Sequence, residues 1–159
     1  MNLVHAGRGI RFDPGAGTSV ELLTSPEVDN SWVLKGTLQP GGVVPVHSHH
    51  EAEDFHVLSG QGEALVQTND GLEWKMPQSG DFIHIPGDTK HAWRNRFRAP
   101  TETLVVTAAR PGRFLRELGE QRQAGGNTGA METLLRVSQR YGYSMGSPEE
   151  NAAVGISLP

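Results

Sequence analysis

Six of the seven histidines in this chain lie between positions 47 and 91, and there is no cysteine. In extended backbone successive side chains leave opposite faces, so His47 and His49 share one face. Glu53 has the same parity if the strand continues through it, and a second segment, Gly80 to Asn95, crosses a proline loop at Pro86 and places His91 at the start of a new strand. Imidazoles and a carboxylate converging on one point make a borderline-hard ligand set that suits iron, nickel, manganese, copper or zinc. The missing cysteine excludes thiolate metal sites, disulfides and a cysteine nucleophile. The other histidines of the cluster read differently. His50 follows His49 and faces the opposite way, as a turn residue in solvent, while His56 and His84 have the wrong parity and point to an outer face or an interface.

Such a site needs strands to carry it. The 20 glycines and 10 prolines favour many tight turns over a helical bundle. Residues 1–30, interrupted by Gly7, Gly9, Pro14, Gly15, Gly17 and Pro26, read as an irregular arm with short extended pieces. Alternation then predicts strands from Ser31 to Leu38, from Val43, over Phe55 to Leu58, Glu63 to Gln67, Leu72 to Met76, Phe82 to Ile85, His91 to Arg96 and Thr103 to Ala109, with Asn69-Asp70-Gly71 as a hairpin turn. About eight short strands between turn signals indicate a closed barrel or jelly roll. Trp32 and Trp74 read as core or dimer-face residues, and Arg94, Arg96 and Arg98 as a solvated basic face.

After Pro111 the pattern becomes helical, with Phe114, Leu115 and Leu118 forming one stripe. A break at Gly125-Gly126-Asn127-Thr128-Gly129 precedes a second stripe of Met131, Leu134, Leu135, Ser138 and Tyr141, and Ser147-Pro148-Glu149-Glu150 carries the signature of a capping box. The expected organisation is a barrel with its arm over residues 1–110 and a helical tail over 111–159, packed on the barrel or on a partner subunit. A formal charge of −4 gives no basic footprint for nucleic acid or an anionic membrane. No stretch has the apolar length of a membrane helix or a secretory leader, so the expected location is the cytoplasm.

Gly41, five residues, His47-Ser48-His49, three residues, Glu53, six residues and Gly60 resemble the first cupin motif at every fixed position. Gly80, Pro86, His91 and Asn95 resemble the second, which departs at Asp88, where a glycine is usual and Gly87 stands next to it. The tail segments around Phe114 and Tyr143 also resemble those of small bacterial single-domain cupins. The resemblance implies an all-β double-stranded β-helix with a short helical tail. It implies that His47, His49, Glu53 and His91 bind one divalent transition metal with an open position, and that the chain is similar to flavonol-cleaving cupins. Val43, Phe55, Val57 and Trp93 share the inward parity as an apolar wall for a small-molecule substrate, and Asn95, on His91's face, would orient backbone or ligand.

Three functions are compatible with that set. One is an oxygenase acting on an enolisable or phenolic molecule, with Glu53 serving as ligand and base. Another is a non-redox isomerase, cyclase or lyase using the metal as a Lewis acid, and the third is a cupin that binds a small ligand without turnover. A homodimer, through an edge strand or the terminal arm, is expected because open sheet edges need covering.

Overall fold

The structure is a computed structural model and describes residues 3–25, 27, 30–125 and 129–157. Its strands are β1 (Ile10–Gly15), β2 (Thr18–Leu22), β3 (Ser31–Leu38), β4 (Val43–Ser48), β5 (Glu53–Ser59), β6 (Glu63–Thr68), β7 (Gly71–Lys75), β8 (Phe82–Ile85), β9 (His91–Arg94), β10 (Thr101–Ala108) and β11 (Ser144–Met145), and its helices are α1 (Ala109–Gly125), α2 (Ala130–Arg140) and α3 (Pro148–Ala153). One sheet runs β1-β2-β3-β10-β5-β8 and the other β11-β4-β9-β6-β7, with antiparallel pairing throughout. This is an all-β, double-stranded β-helix with short helices at its C-terminal end.

Period-two burial builds the barrel. In β5, Glu53, Phe55 and Val57 are buried while Asp54, His56 and Leu58 face out, and in β10 Thr101, Thr103, Val105 and Thr107 take the inner face. The inner faces meet in a core of Trp32, Leu34, Leu38, Phe55, Ile85 and Trp93. Glu53 opens β5 rather than continuing β4, so its approach to His47 and His49 comes from the opposite sheet.

The short extended pieces expected of the N-terminal arm are present, and they are more regular than expected. Gly15, Ala16 and Gly17 all have positive φ and turn a β1–β2 hairpin that extends the six-stranded sheet beside β3. The same glycines that interrupt a helical period supply the left-handed turn. Helix α1 likewise begins at Ala109, before Pro111, because a proline in the first helical turn forfeits no intrahelical hydrogen bond. Of the expected glycine-rich break, residues 126–128 lie outside the described residues, as does Pro26.

Arg94 is a clear correction to the expected solvated face. It is buried, donating from Nε and Nη2 to the Glu63 carboxylate at 3.0 and 3.1 Å and from Nη1 to the Val154 carbonyl at 3.0 Å, with its guanidinium 3.8 Å over the Trp74 ring. Arg96 donates to the same carboxylate, and Arg98 is exposed. Parity correctly puts Arg94 on the outside of β9, but the C-terminal tail covers that outside, packing Val154 and Ile156 against Val46, Leu65 and Ala92.

The expected capping box is present at Ser147 and Glu150. Next to it Asn151 is wholly buried, accepting from the Val46 amide at 2.9 Å and donating to the Gly146 and Ser147 carbonyls. Asn151→Ala strands those groups out of water, and a loss of about 1–3 kcal/mol in chemical denaturation is expected. No helix among the described residues is long and apolar enough to cross a membrane.

Candidate metal centre

Strands β4 and β9 pair with His47 opposite His91, and His49 follows one residue beyond the end of β4. The three imidazole rings lie with centroids 4.1 to 5.8 Å apart, and one ligand nitrogen from each falls within 4.8 Å of the others. Glu53 reaches the same point: its Oε2 is 3.6 Å from Nε2 of both His49 and His91. All four residues are buried.

Backbone carbonyls aim the rings. The Nδ1 atoms of His47 and His91 sit 2.8 Å from the Pro45 and Thr89 carbonyls, which leaves Nε2 as the inward atom. The loop carrying His49 is held from the second motif. The Asp88 amide donates to the His49 carbonyl at 2.7 Å, and any Cβ at Gly87 would collide with the His50 carbonyl. Asp88 itself adopts φ 60°, so an aspartate fills the left-handed turn position where the motif usually has glycine.

Electrostatics favour a neutral His47 and an ionised Glu53. Burial, then the neighbouring His91, lowers His47 to about 3. Burial alone would raise Glu53, but the imidazoles of His49 and His91 outweigh it and hold the carboxyl well below the usual range. The lowered His47 pKa makes the stability of the fold depend on pH. The unfolded chain takes up a proton there near pH 6.5 and the folded chain only near 3, so the metal-free protein should lose stability as pH falls through that window. His47→Gln should flatten this part of the pH–Tm curve.

The donors also pass a test for a bound cation. Nε2 of His49 and of His91 are buried without a hydrogen-bond partner, an arrangement that is costly unless something electropositive sits among them. Three imidazoles and one carboxylate are a fitting set for a divalent transition metal.

A cavity of about 470 Å³ opens on this cluster, lined by His47, Glu53 and His91 together with Val43, Phe55 and Trp93 from the expected wall. The other two expected contacts lie elsewhere. Val57 has Phe55's parity and is wholly buried, but it is not among the cavity's lining residues, although its cross-strand partner Thr103 is. Asn95 is buried and spends its amide on backbone, donating to Leu38 and Ala99 carbonyls and accepting from the Phe97 amide. His50, His56 and His84 are all exposed, with His50 and His84 paired to Asp88 and Asp54.

Three residues near the site escaped sequence reasoning. Tyr143, just before β11, stacks between Phe114 on one side, at 4.0 Å, and His49 and His47 on the other, at 4.6 and 5.7 Å. Burial, and then the negative charge of Glu53, pushes its phenol well above the ordinary value, so it stays protonated. Glu51 places Oε2 3.6 Å from His49 Nδ1 and is gripped by Arg110 of α1 at 2.5 and 2.8 Å. A two-residue strand has no readable period, and Arg110 lies 59 positions from Glu51.

Comparison with known proteins adds relatives to this geometry. The family model described as Cupin domain matches residues 34–107. Quercetin 2,3-dioxygenase of Bacillus subtilis (strain 168) is 27% identical over 122 residues, covering 74% of this chain and 34% of that protein. The chain therefore spans about a third of that relative's length. Among solved structures, the polyketide cyclase RemF from Streptomyces resistomycificus superposes with a TM-score of 0.62 at 23% identity, over 69% of this chain and 80% of that one. An RmlC-like cupin from Shewanella frigidimarina NCIMB 400 gives 0.57 at 17% identity, over 66% and 87%. Both likenesses are of fold.

Proposed function

Since residues 34–107 are a cupin domain, we propose that the chain is a metal-dependent oxygenase acting on a small enolisable or phenolic molecule. In this reading His47, His49, His91 and Glu53 hold one divalent transition metal. The observation that carries it is the pair of buried, partnerless Nε2 atoms beside an ionised carboxylate. When bound, the cation supplies Lewis acidity toward a substrate oxygen and, for a redox-active metal, an electron route to dioxygen.

The chain's own residues do the rest. The Glu53 carboxylate, ionised and facing the cavity, takes the proton of an enol or phenol at Oε. Apolar walls at Phe55 and Trp93 exclude water from the same space. The partial likeness to a quercetin 2,3-dioxygenase supports the oxygen-dependent version.

Apoprotein reconstituted in turn with iron(II), nickel(II), manganese(II), copper(II) and zinc(II) should consume dioxygen, in an oxygen electrode, with at least one member of a panel of acetylacetone, catechol and 3-hydroxyflavone. Equal turnover under argon, or equal activity with redox-silent zinc, contradicts the oxygenase reading and favours non-redox chemistry.

Glu51 belongs to the same proposal as an orienting partner of His49, held in place by Arg110. Glu51→Gln should weaken metal binding by about 10–100-fold in a competition titration against a chelating dye. A homodimer is proposed as well, supported by exposed Phe82 and Leu58 at the β8 end of the six-stranded sheet. Light scattering should give twice the chain mass, and a monomer contradicts it.

A further inference from the structure

The cavity does not stop at the histidines. It continues between the β1–β2 turn and the tail helices, where Phe114, Leu118, Met131 and Leu134 face Phe55 and Trp93. Its volume of about 470 Å³ is in the range of pockets that enclose a drug-sized molecule. Among the described lining residues only two carry formal charge: Glu53 at the histidine end, and Arg122, whose guanidinium lies against Gly15 of the β1–β2 turn. Six of the described lining residues carry hydroxyls, Thr18, Ser19, Thr37, Thr101, Thr103 and Tyr143, and two of these, Thr18 and Thr101, are already spent on the Gly15 and Gln61 carbonyls.

That inventory discriminates between ligand classes. A sugar would bury many hydroxyls with few partners, and each unmatched one is costly. In the metal-free protein a small acid would set its carboxylate beside Glu53 with no cationic side chain among the described lining residues at that end. Aromatic surface at Phe55, Trp93 and Phe114 instead suits a flat ring system. The Tyr143 hydroxyl makes no hydrogen bond among the described residues and is free to donate to a ligand oxygen at the histidine end.

We propose that this cavity takes a predominantly apolar, ring-bearing molecule that presents an oxygen substituent to the His47–Glu53–His91 end. Only the reactive end of this picture rests on the metal-site reading; the selection by the wall stands apart from it.

The test uses N-phenyl-1-naphthylamine, a neutral probe that fluoresces in apolar surroundings, with metal-free and cobalt-loaded protein. Saturable binding to the metal-free protein is expected. From the metal-free protein, displacement should follow addition of 1-naphthol and should not follow millimolar pyruvate or glucose. Leu134→Glu and Met131→Glu put a charge into the wall at half-buried positions of α2, and each should weaken probe binding at least tenfold. Circular dichroism identifies a variant that fails to fold, in which case the other decides. Absence of saturable binding, displacement by pyruvate or glucose, or unchanged affinity in a folded variant overturns the proposal. Cobalt binding without probe binding sinks this inference alone, and probe binding without cobalt binding sinks the metal reading alone.

Discussion

Replacing His91 with alanine is expected to lower affinity for a divalent transition metal by at least about a hundredfold, while soluble yield and the β-sheet circular dichroism spectrum stay near wild type. His91 begins β9 directly across from His47, and its Nε2 is buried with no partner. Its ring contacts backbone through Nδ1 at the carbonyl of Thr89, in the loop before β9, and takes no part in the backbone pairing of β9 with β4 and β6, which survives its loss. Losing an orienting neighbour of a metal ligand typically costs 10–100-fold, and losing the ligand itself should cost more. His84→Ala is the control, because His84 is exposed and pairs with Asp54 on the outside of the barrel. Metal content should fall in the first variant and hold in the second, by elemental analysis after dialysis. Unchanged metal in His91→Ala would remove that residue from the ligand set.

Glu63→Gln is expected to be among the most destabilising single changes outside the site, by about 3–5 kcal/mol, because it leaves the buried Arg94 guanidinium without its counter-ion. For a chain of this size that corresponds to a fall in Tm of roughly 10 °C. The effect should depend on pH with a definite sign. The guanidinium of Arg96 and then that of Arg94, against the opposing effect of burial, lower Glu63 to about 2. Its contribution is therefore complete above pH 4.5, shrinks as the unfolded chain takes up a proton below that, and is gone once pH falls through about 2. Thermal melts of both proteins at pH 7 and pH 3 should show a smaller gap at pH 3. An equal gap at both would mean that the carboxylate's charge is not what holds Arg94.

Much of the barrel was legible in the sequence because inward and outward residues alternate cleanly in β5, β8 and β10, and Gly60 and Gly80 mark turns with positive φ. The histidines followed from the same parity, since His47 and His49 share a face and a proline loop resets the chain before His91. Parity fails where it must. It names a face without saying which inward residues touch the cavity, and Val57 is buried without lining it while its cross-strand partner Thr103 does. Nor does it say whether an outer face is wet, and Arg94 is outward yet roofed by Val154 and Ile156. The contribution of the tail could not be read either, because Tyr143 reaches His47 and His49 through the pairing of two-residue β11 with β4, a long-range contact with no local signal.

The central claim is that His47, His49, Glu53 and His91 form one transition-metal site. The most direct measurement is a cobalt(II) titration of metal-free protein followed by visible absorption, with a variant lacking all three imidazoles alongside. One equivalent per chain should saturate the wild type, with d–d bands of a nitrogen- and oxygen-ligated centre, and the triple variant should show none. Absence of saturable binding in the wild type, or the same one-equivalent binding in the triple variant, would contradict the account.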